Sequence, residues 1–186
     1  AAMLARLGLG GQMLGLLTRS MALADGAVLP RALLNRPRAE PEIAFRMAGP
    51  VAHDASDAAL LAAIAAVAPA IEIVDSRYRD FQFALPDAVA DNISSHAFVT
   101  GPWQAPGREL GGLAVELALD DVVVATGRSD AILGHPLLAL RAVLRLAKEA
   151  GREVREGAVV MAGAATDPVL LPVGTRVRVR VQGLGE

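Results

Sequence analysis

Three carboxylates in this 186-residue chain could act together. Glu40 and Glu42 stand in Arg38-Ala39-Glu40-Pro41-Glu42-Ile43, and Glu72 in Pro69-Ala70-Ile71-Glu72-Ile73-Val74-Asp75-Ser76-Arg77. The surrounding residues are apolar and β-branched, so both segments are predicted to be strands. Strand residues two apart share a face, which sets Glu40 and Glu42 side by side. Two carboxylates so close repel each other unless a cation or a proton lies between them. A third carboxylate from a neighbouring strand would complete an all-oxygen site suited to Mg²⁺ or Mn²⁺, with positions left for substrate and water. Taken alone, the Glu-x-Glu spacing also describes the solvent face of an edge strand, which is its commoner meaning.

The elements that must position these groups are strand-rich with a few helices. Residues 1 to 30 are broken by glycine and give no clear period. Ser56 or Asp54 can cap a helix running from Asp57 to Val67, which Pro69 would stop. Its lack of polar residues predicts burial on more than one side, as at a subunit contact. A strand over Ile71–Asp75 follows, then a polar, irregular stretch from 76 to 96 of the kind that carries function. Strands near Leu113–Leu119 and Val122–Thr126 flank a tight Asp120-Asp121 turn. Pro136 opens a helix with Leu137, Leu140, Leu144 and Ala147 on one side, and Gly151 ends it. Strands near Ala158–Ala162 and Arg176–Val181 close the chain. In the last, valines alternate with Arg176, Arg178 and Arg180, a half-buried strand whose arginines face solvent unless an acidic partner covers them.

Composition sets the class. At 53% hydrophobic and 3% aromatic residues, the chain can build an aliphatic core. A net charge of −2 gives no footprint for nucleic acid or an anionic membrane. No cysteine is present, which excludes disulfides, thiolate metal sites and a cysteine nucleophile. Arg6, Arg19 and Asp25 interrupt the apolar start before it reaches the roughly 18 residues of a membrane span. No signal peptide is evident, so the cytoplasm is the expected compartment.

Several motifs carry a family resemblance. Arg36–Phe45 resembles the metal-binding strand of the 2-keto-4-pentenoate hydratase / 4-oxalocrotonate decarboxylase family, within the fumarylacetoacetate hydrolase-like superfamily. Pro69–Arg77 resembles the second signature of that family, and Val89-Ala90-Asp91-Asn92-Ile93-Ser94-Ser95 the third. Gly134-His135-Pro136-Leu137 and Val159-Val160-Met161-Ala162-Gly163-Ala164 follow in the family's order. The resemblance implies an α+β, strand-dominated fold with residues 31–186 as the catalytic domain and 1–30 as a remnant of an N-terminal region. It implies Glu40, Glu42 and Glu72 as ligands of Mg²⁺ or Mn²⁺, which acts on a 2-oxo acid as a Lewis acid. The implied activity is hydration of 2-hydroxy-2,4-dienoates in aromatic catabolism. The alternatives are decarboxylation of a 4-oxalocrotonate-type acid, or a non-catalytic metal-binding or assembly subunit. A homo-oligomer, with a partner pathway enzyme as a further associate, is expected.

The remaining candidates have competing roles. Asp75 and Ser94 are candidates for proton transfer and substrate contact, or for bracing a loop and capping a turn. Asn92 and Ser95 could orient a ligand from behind. His135 is read as a helix cap and Trp103 as a packing anchor. Arg6 stands where the family carries a lysine, so it can hold a carboxylate but cannot relay a proton. A Pro-Asp-Tyr-Gly-like segment with a family acid is missing between Met13 and Gly15, and Ala162 replaces a hydroxyl residue.

Overall fold

The computed structural model describes residues 12–186. Arg6 lies outside the described residues. Nine strands form two sheets among them: β1 (Ala22–Leu23), β2 (Arg38–Met47), β3 (Ile64–Val74), β4 (Ser95–Thr100), β5 (Ala114–Leu119), β6 (Val122–Arg128), β7 (Val159–Met161), β8 (Val169–Leu170) and β9 (Val177–Val181). The helices are α1 (Asp57–Ala62), α2 (Leu85–Ala90) and α3 (Pro136–Glu149). The larger sheet has the order β1-β4-β3-β2-β7, with β8 also on β2, and the smaller has the order β6-β5-β9. Among the described residues only β1 and β4 pair in parallel, and this pairing joins residues 22–23 to the main sheet. No helix among the described residues is long and apolar enough to cross a membrane.

The long β2/β3 pair is the frame. Odd-numbered Ala39, Ile43, Phe45 and Met47 of β2 are buried in one apolar cluster with Val115 and Leu117 of β5 and Val179 and Val181 of β9. Alternation then leaves even-numbered Glu40, Glu42 and Ala44 on the opposite face. Register sets Glu40 directly across from Glu72.

Both strands carry a proline, and the hydrogen bonding explains why they tolerate it. Val67 exchanges both backbone hydrogen bonds with Gln104, and Pro69 O accepts from Gly101 N. Odd-numbered residues here therefore turn their N–H toward the β4 side. The absent N–H of Pro69 falls between the end of β4 at Thr100 and the bridge at Gln104. Pro41 is similar. Its outer side lies between β7, which pairs with Ala44–Arg46, and β8, which pairs with Arg38 and Ala39. A proline is harmless where no ladder bond is due.

The helix expected over 57–67 is a correction. Ser56 Oγ does cap it, accepting from Ala59 N at 3.2 Å, but α1 ends at Ala62 and β3 begins at Ile64. Ile64 and Val67 are buried as strand residues, Leu60 alone is buried within α1, and Leu61 is 36% exposed. The apolar helical face on which a subunit contact was expected does not exist. The strand expected at 71–75 is thus the end of an eleven-residue one. The 76–96 stretch holds α2 and two 3-10 turns, Arg79–Phe81 and Asn92–Ser94.

Elsewhere local chemistry sets the elements as the sequence predicts. Asp120 and Asp121 take positive φ of 46° and 71°, the twist a two-residue hairpin needs. Asp121 pairs with Arg178, which stays partly exposed. His135 Nδ1 accepts from Leu137 N at 3.1 Å and caps α3, with Pro136 at its first position. At the other end Gly151 N donates to Lys148 O and Arg152 N to Ala147 O, with Gly151 at φ 66°. That is the paired closure of a Schellman motif. The Arg46 guanidinium lies 4.9 Å from the centre of the Trp103 ring.

Candidate metal centre

Glu40, Glu42 and Glu72 converge. Each offers a carboxylate oxygen, and these oxygens all lie within 4.8 Å of one another. Strand period brings the first two together, and the antiparallel register adds the third. Glu40 is 8% exposed and Glu42 2%, while Glu72 is half-buried. Glu42 Oε2 accepts from Gly163 N at 2.7 Å. That contact depends on the gap opposite Pro41. There the chain past β7 runs beside β2 without joining its ladder, with Ala162 N on Ile43 O and Ala165 N on Pro41 O. Gly163 makes the turn at φ 101°, a conformation open to glycine and few others.

The electrostatics mark the cluster as short of positive charge. Burial, with the Glu72 charge adding to it and Arg38 opposing, pushes the Glu40 carboxyl up to about 8. Burial also lifts Glu42 well above the usual range, with Glu72 and Glu40 adding to it and the Gly163 N–H opposing. Glu72 is raised by burial and held back by Ser95 and Glu42. Ser95 Oγ is itself buried without a hydrogen-bond partner of good geometry among the described residues, although it lies near enough to Glu72 to hold that carboxyl down. Three carboxyls that can ionise only at a penalty, beside an unsatisfied hydroxyl, form the oxygen-rich environment a hard divalent cation relieves. The residues fit Mg²⁺ or Mn²⁺.

The triad lies in a cavity of about 930 Å³. Its other walls are largely apolar: Ala142, Val143 and Leu146 of α3, Met161 of β7, and the segment Met13–Leu17. Asn92 and Ile93 contribute from the turn before β4, and Ser95 from the start of β4.

The structure separates the other candidates from this cavity. Asp75 is 2% exposed, and its carboxylate accepts from Asn35 N and Arg36 N, both at 2.7 Å. Ser94 is fully buried and donates to Asp91 Oδ2 at 2.9 Å. Neither lines the cavity. Arg77 braces the same turn, pairing with Asp91 at 3.4 Å and donating to Ser95 O. Sequence reasoning missed the Gly163 amide and the segment 12–17. The first carried a signal in the Met161-Ala162-Gly163 motif, since a glycine just after a strand marks a special backbone conformation. The second carried none.

No family model matches the chain. It is similar to the 4-oxalocrotonate decarboxylase of Pseudomonas sp, at 42% identity over 99% of this chain and 72% of that protein. It is also 33% identical to the 2-keto-4-pentenoate hydratase 1 of Dechloromonas aromatica (strain RCB), over 97% of this chain and 70% of the relative. Among solved structures it resembles 4-oxalocrotonate decarboxylase from Pseudomonas putida G7 complexed with magnesium and adipate. The TM-score is 0.90 at 33% identity, covering 99% of this chain and 71% of the other. With that identity and coverage, and a strand-dominated fumarylacetoacetate hydrolase-like fold around three convergent glutamates, the chain belongs to the 4-oxalocrotonate decarboxylase / 2-keto-4-pentenoate hydratase family.

Proposed function

We propose that this chain is a Mg²⁺- or Mn²⁺-dependent lyase of unsaturated 2-oxo acids, and that its reaction is decarboxylation of a 4-oxalocrotonate-type substrate. The observation that carries this reading is the convergence of Glu40, Glu42 and Glu72 at one wall of an apolar cavity. Held by these carboxylates, the cation supplies a Lewis acid for the ketone and carboxylate oxygens of a 2-oxo acid. Gly163 fixes one ligand by its N–H, and Ser95 Oγ has a free hydrogen-bond capacity for a substrate oxygen. The walls from α3 and β7 set mostly apolar surface around the space for the substrate's far end. A carboxylate held there loses hydration, and release of neutral carbon dioxide relieves that penalty as its bonding pair delocalises toward the 2-oxo group. Asp75 and Ser94 brace the floor of this arrangement. Arg6 is proposed to hold a carboxylate by charge alone.

Hydration of a 2-hydroxy-2,4-dienoate is the second reading, favoured by the 33% identity to a hydratase. The 42% identity to a decarboxylase supports the first reading over it. Metal-free protein should be assayed with 4-oxalocrotonate and with 2-hydroxypenta-2,4-dienoate, with and without Mg²⁺, following carbon dioxide and the hydrated product separately. Mg²⁺-dependent carbon dioxide release that Glu42→Gln abolishes is expected. Water addition without carbon dioxide would move the protein to the second reading. Turnover of neither acid by protein that binds Mg²⁺ would overturn both.

A further inference from the structure

Residues 12–17 line the cavity as a segment outside any helix or strand, with no backbone ladder of its own. Among the described residues, two side chains tie it down. Arg145 Nη2 on α3 donates to Gln12 Oε1 at 3.0 Å. Asn92 does more, because its side chain reads the segment in both directions. Its Oδ1 accepts from Leu16 N at 2.7 Å, and its Nδ2 donates to Leu16 O at 2.9 Å. A side-chain amide that satisfies the donor and acceptor of one residue replaces a missing strand neighbour.

The turn beneath Asn92 is built to hold that side chain still. Asn92, Ile93 and Ser94 take φ values of 52°, 57° and 61° in succession. Asparagine tolerates the left-handed region and β-branched isoleucine does not, so the run persists only under outside constraint. The constraint is visible. Buried Asp91 accepts from Ser76 Oγ at 3.1 Å and Ser94 Oγ at 2.9 Å, and Asp75 N donates to Ser94 O at 2.8 Å. On the other side the segment approaches with Gly15, where a Cβ would lie 3.4 Å from both Asn92 O and Oδ1. The close approach and the clamp belong together.

We propose that Asn92 is a positioning residue that holds segment 12–17 against the cavity, and that the protein thereby discriminates 2-oxo acids by the tail beyond the keto group. The ligand preference rests on the proposed function, whereas the clamp does not. Held in place, the segment presents Met13, Leu14 and Leu17 to the cavity. An acid that ends near the glutamates, such as pyruvate, has no chain to reach them. An acid with an extended apolar tail does.

Asn92→Gly tests this directly, because glycine keeps the left-handed backbone and removes only the clamp. Amide exchange across residues 13–17, compared between the Mg²⁺-loaded wild type and variant, should rise tenfold or more. Calorimetric binding of 2-oxohexanoate in the presence of Mg²⁺ should weaken about tenfold, the scale of losing two net hydrogen bonds that order the segment. Binding of pyruvate and of Mg²⁺ itself should stay within about twofold, since neither reaches the segment. Asn92→Asp keeps the acceptor for Leu16 N and should recover part of the loss. Unchanged exchange in Asn92→Gly would overturn the clamp. Equal weakening of pyruvate and 2-oxohexanoate would overturn the discrimination. If the Mg²⁺-loaded wild type binds neither acid, the proposed function and the tail preference fail together, and exchange still decides the clamp.

Discussion

Replacing Glu40 by glutamine should stabilise the metal-free protein and remove its response to metal. Glu40 is 8% exposed, and its carboxyl is pushed from 4.5 to about 8. At pH 7 the unfolded chain has released that proton and the folded chain still holds it, so folding takes up a proton. Stability then falls as pH rises from about 4.5 to about 8, because the unfolded state binds fewer protons over that range. At pH 7 the interval above 4.5 is about 2.5 units, and at about 1.4 kcal/mol per unit the penalty is about 3 kcal/mol. Glutamine has no proton to hold and nearly the same shape. In a chelator at pH 7, Glu40→Gln should therefore gain up to about 3 kcal/mol, or roughly 6–12 °C in Tm for a chain of this size. The advantage should vanish near pH 4. Mg²⁺ at about 100 times its Kd should return about 2.7 kcal/mol to the wild type and little to the variant, so the gap closes. Thermal melts at several pH values, with chelator and with Mg²⁺, read all of this. A variant less stable than wild type in chelator at pH 7, or a gap that Mg²⁺ leaves unchanged, would refute the account of a charge-strained triad.

Three further substitutions separate holding the site from holding the fold. Gly163→Ala forces φ 101° on a residue with a Cβ and should cost about 1–3 kcal/mol while weakening Mg²⁺ binding, since the amide on Glu42 must shift; calorimetry showing wild-type Mg²⁺ affinity would count against that amide as an orienting group. Asp75→Ala strips the acceptor from the amides of Asn35 and Arg36 and should lower stability by about 2–4 kcal/mol in urea titrations, with KM unchanged; a lost kcat at unchanged stability would instead give Asp75 the proton. Ser56→Ala removes the α1 cap and should cost about 1 kcal/mol with no effect on turnover, and a loss of activity would show that α1 communicates with the cavity.

The glutamate cluster was legible because it obeys the simplest rule of strand geometry. Glu40 and Glu42 share a face by period two, and the β-branched surroundings of Glu72 mark a second strand able to lie opposite. What the sequence hid was the length of that second strand. From Leu60 to Val67 it offers Leu60-Leu61-Ala62-Ala63-Ile64-Ala65-Ala66-Val67, a run with no polar residue to reveal a period, rich in the best helix former, and followed by a proline that reads as a stop. Tertiary context decided otherwise. With β2 on one side and β4 and the Gln104 bridge on the other, the backbone from Ile64 onward is held extended, interrupted by the bulge at Ala65 and by Pro69, which has no N–H to pair.

The two prolines tie this structural surprise to the chemistry. Each stands where a neighbouring strand has stopped, and at Pro41 the resulting gap is where the chain after β7 passes and offers Gly163 N to Glu42. A residue able to continue the ladder between Glu40 and Glu42 would invite β7 and β8 to merge into one strand along β2. The amide that now meets a carboxylate would then be drawn toward a backbone carbonyl. The Glu-Pro-Glu order therefore does two things at once: alternation aims the carboxylates, and the missing donor keeps one sheet edge open for the group that orients them. The same economy is absent on the opposite wall. There segment 12–17 is held by side chains rather than by a ladder, which is why no period in the sequence announced it.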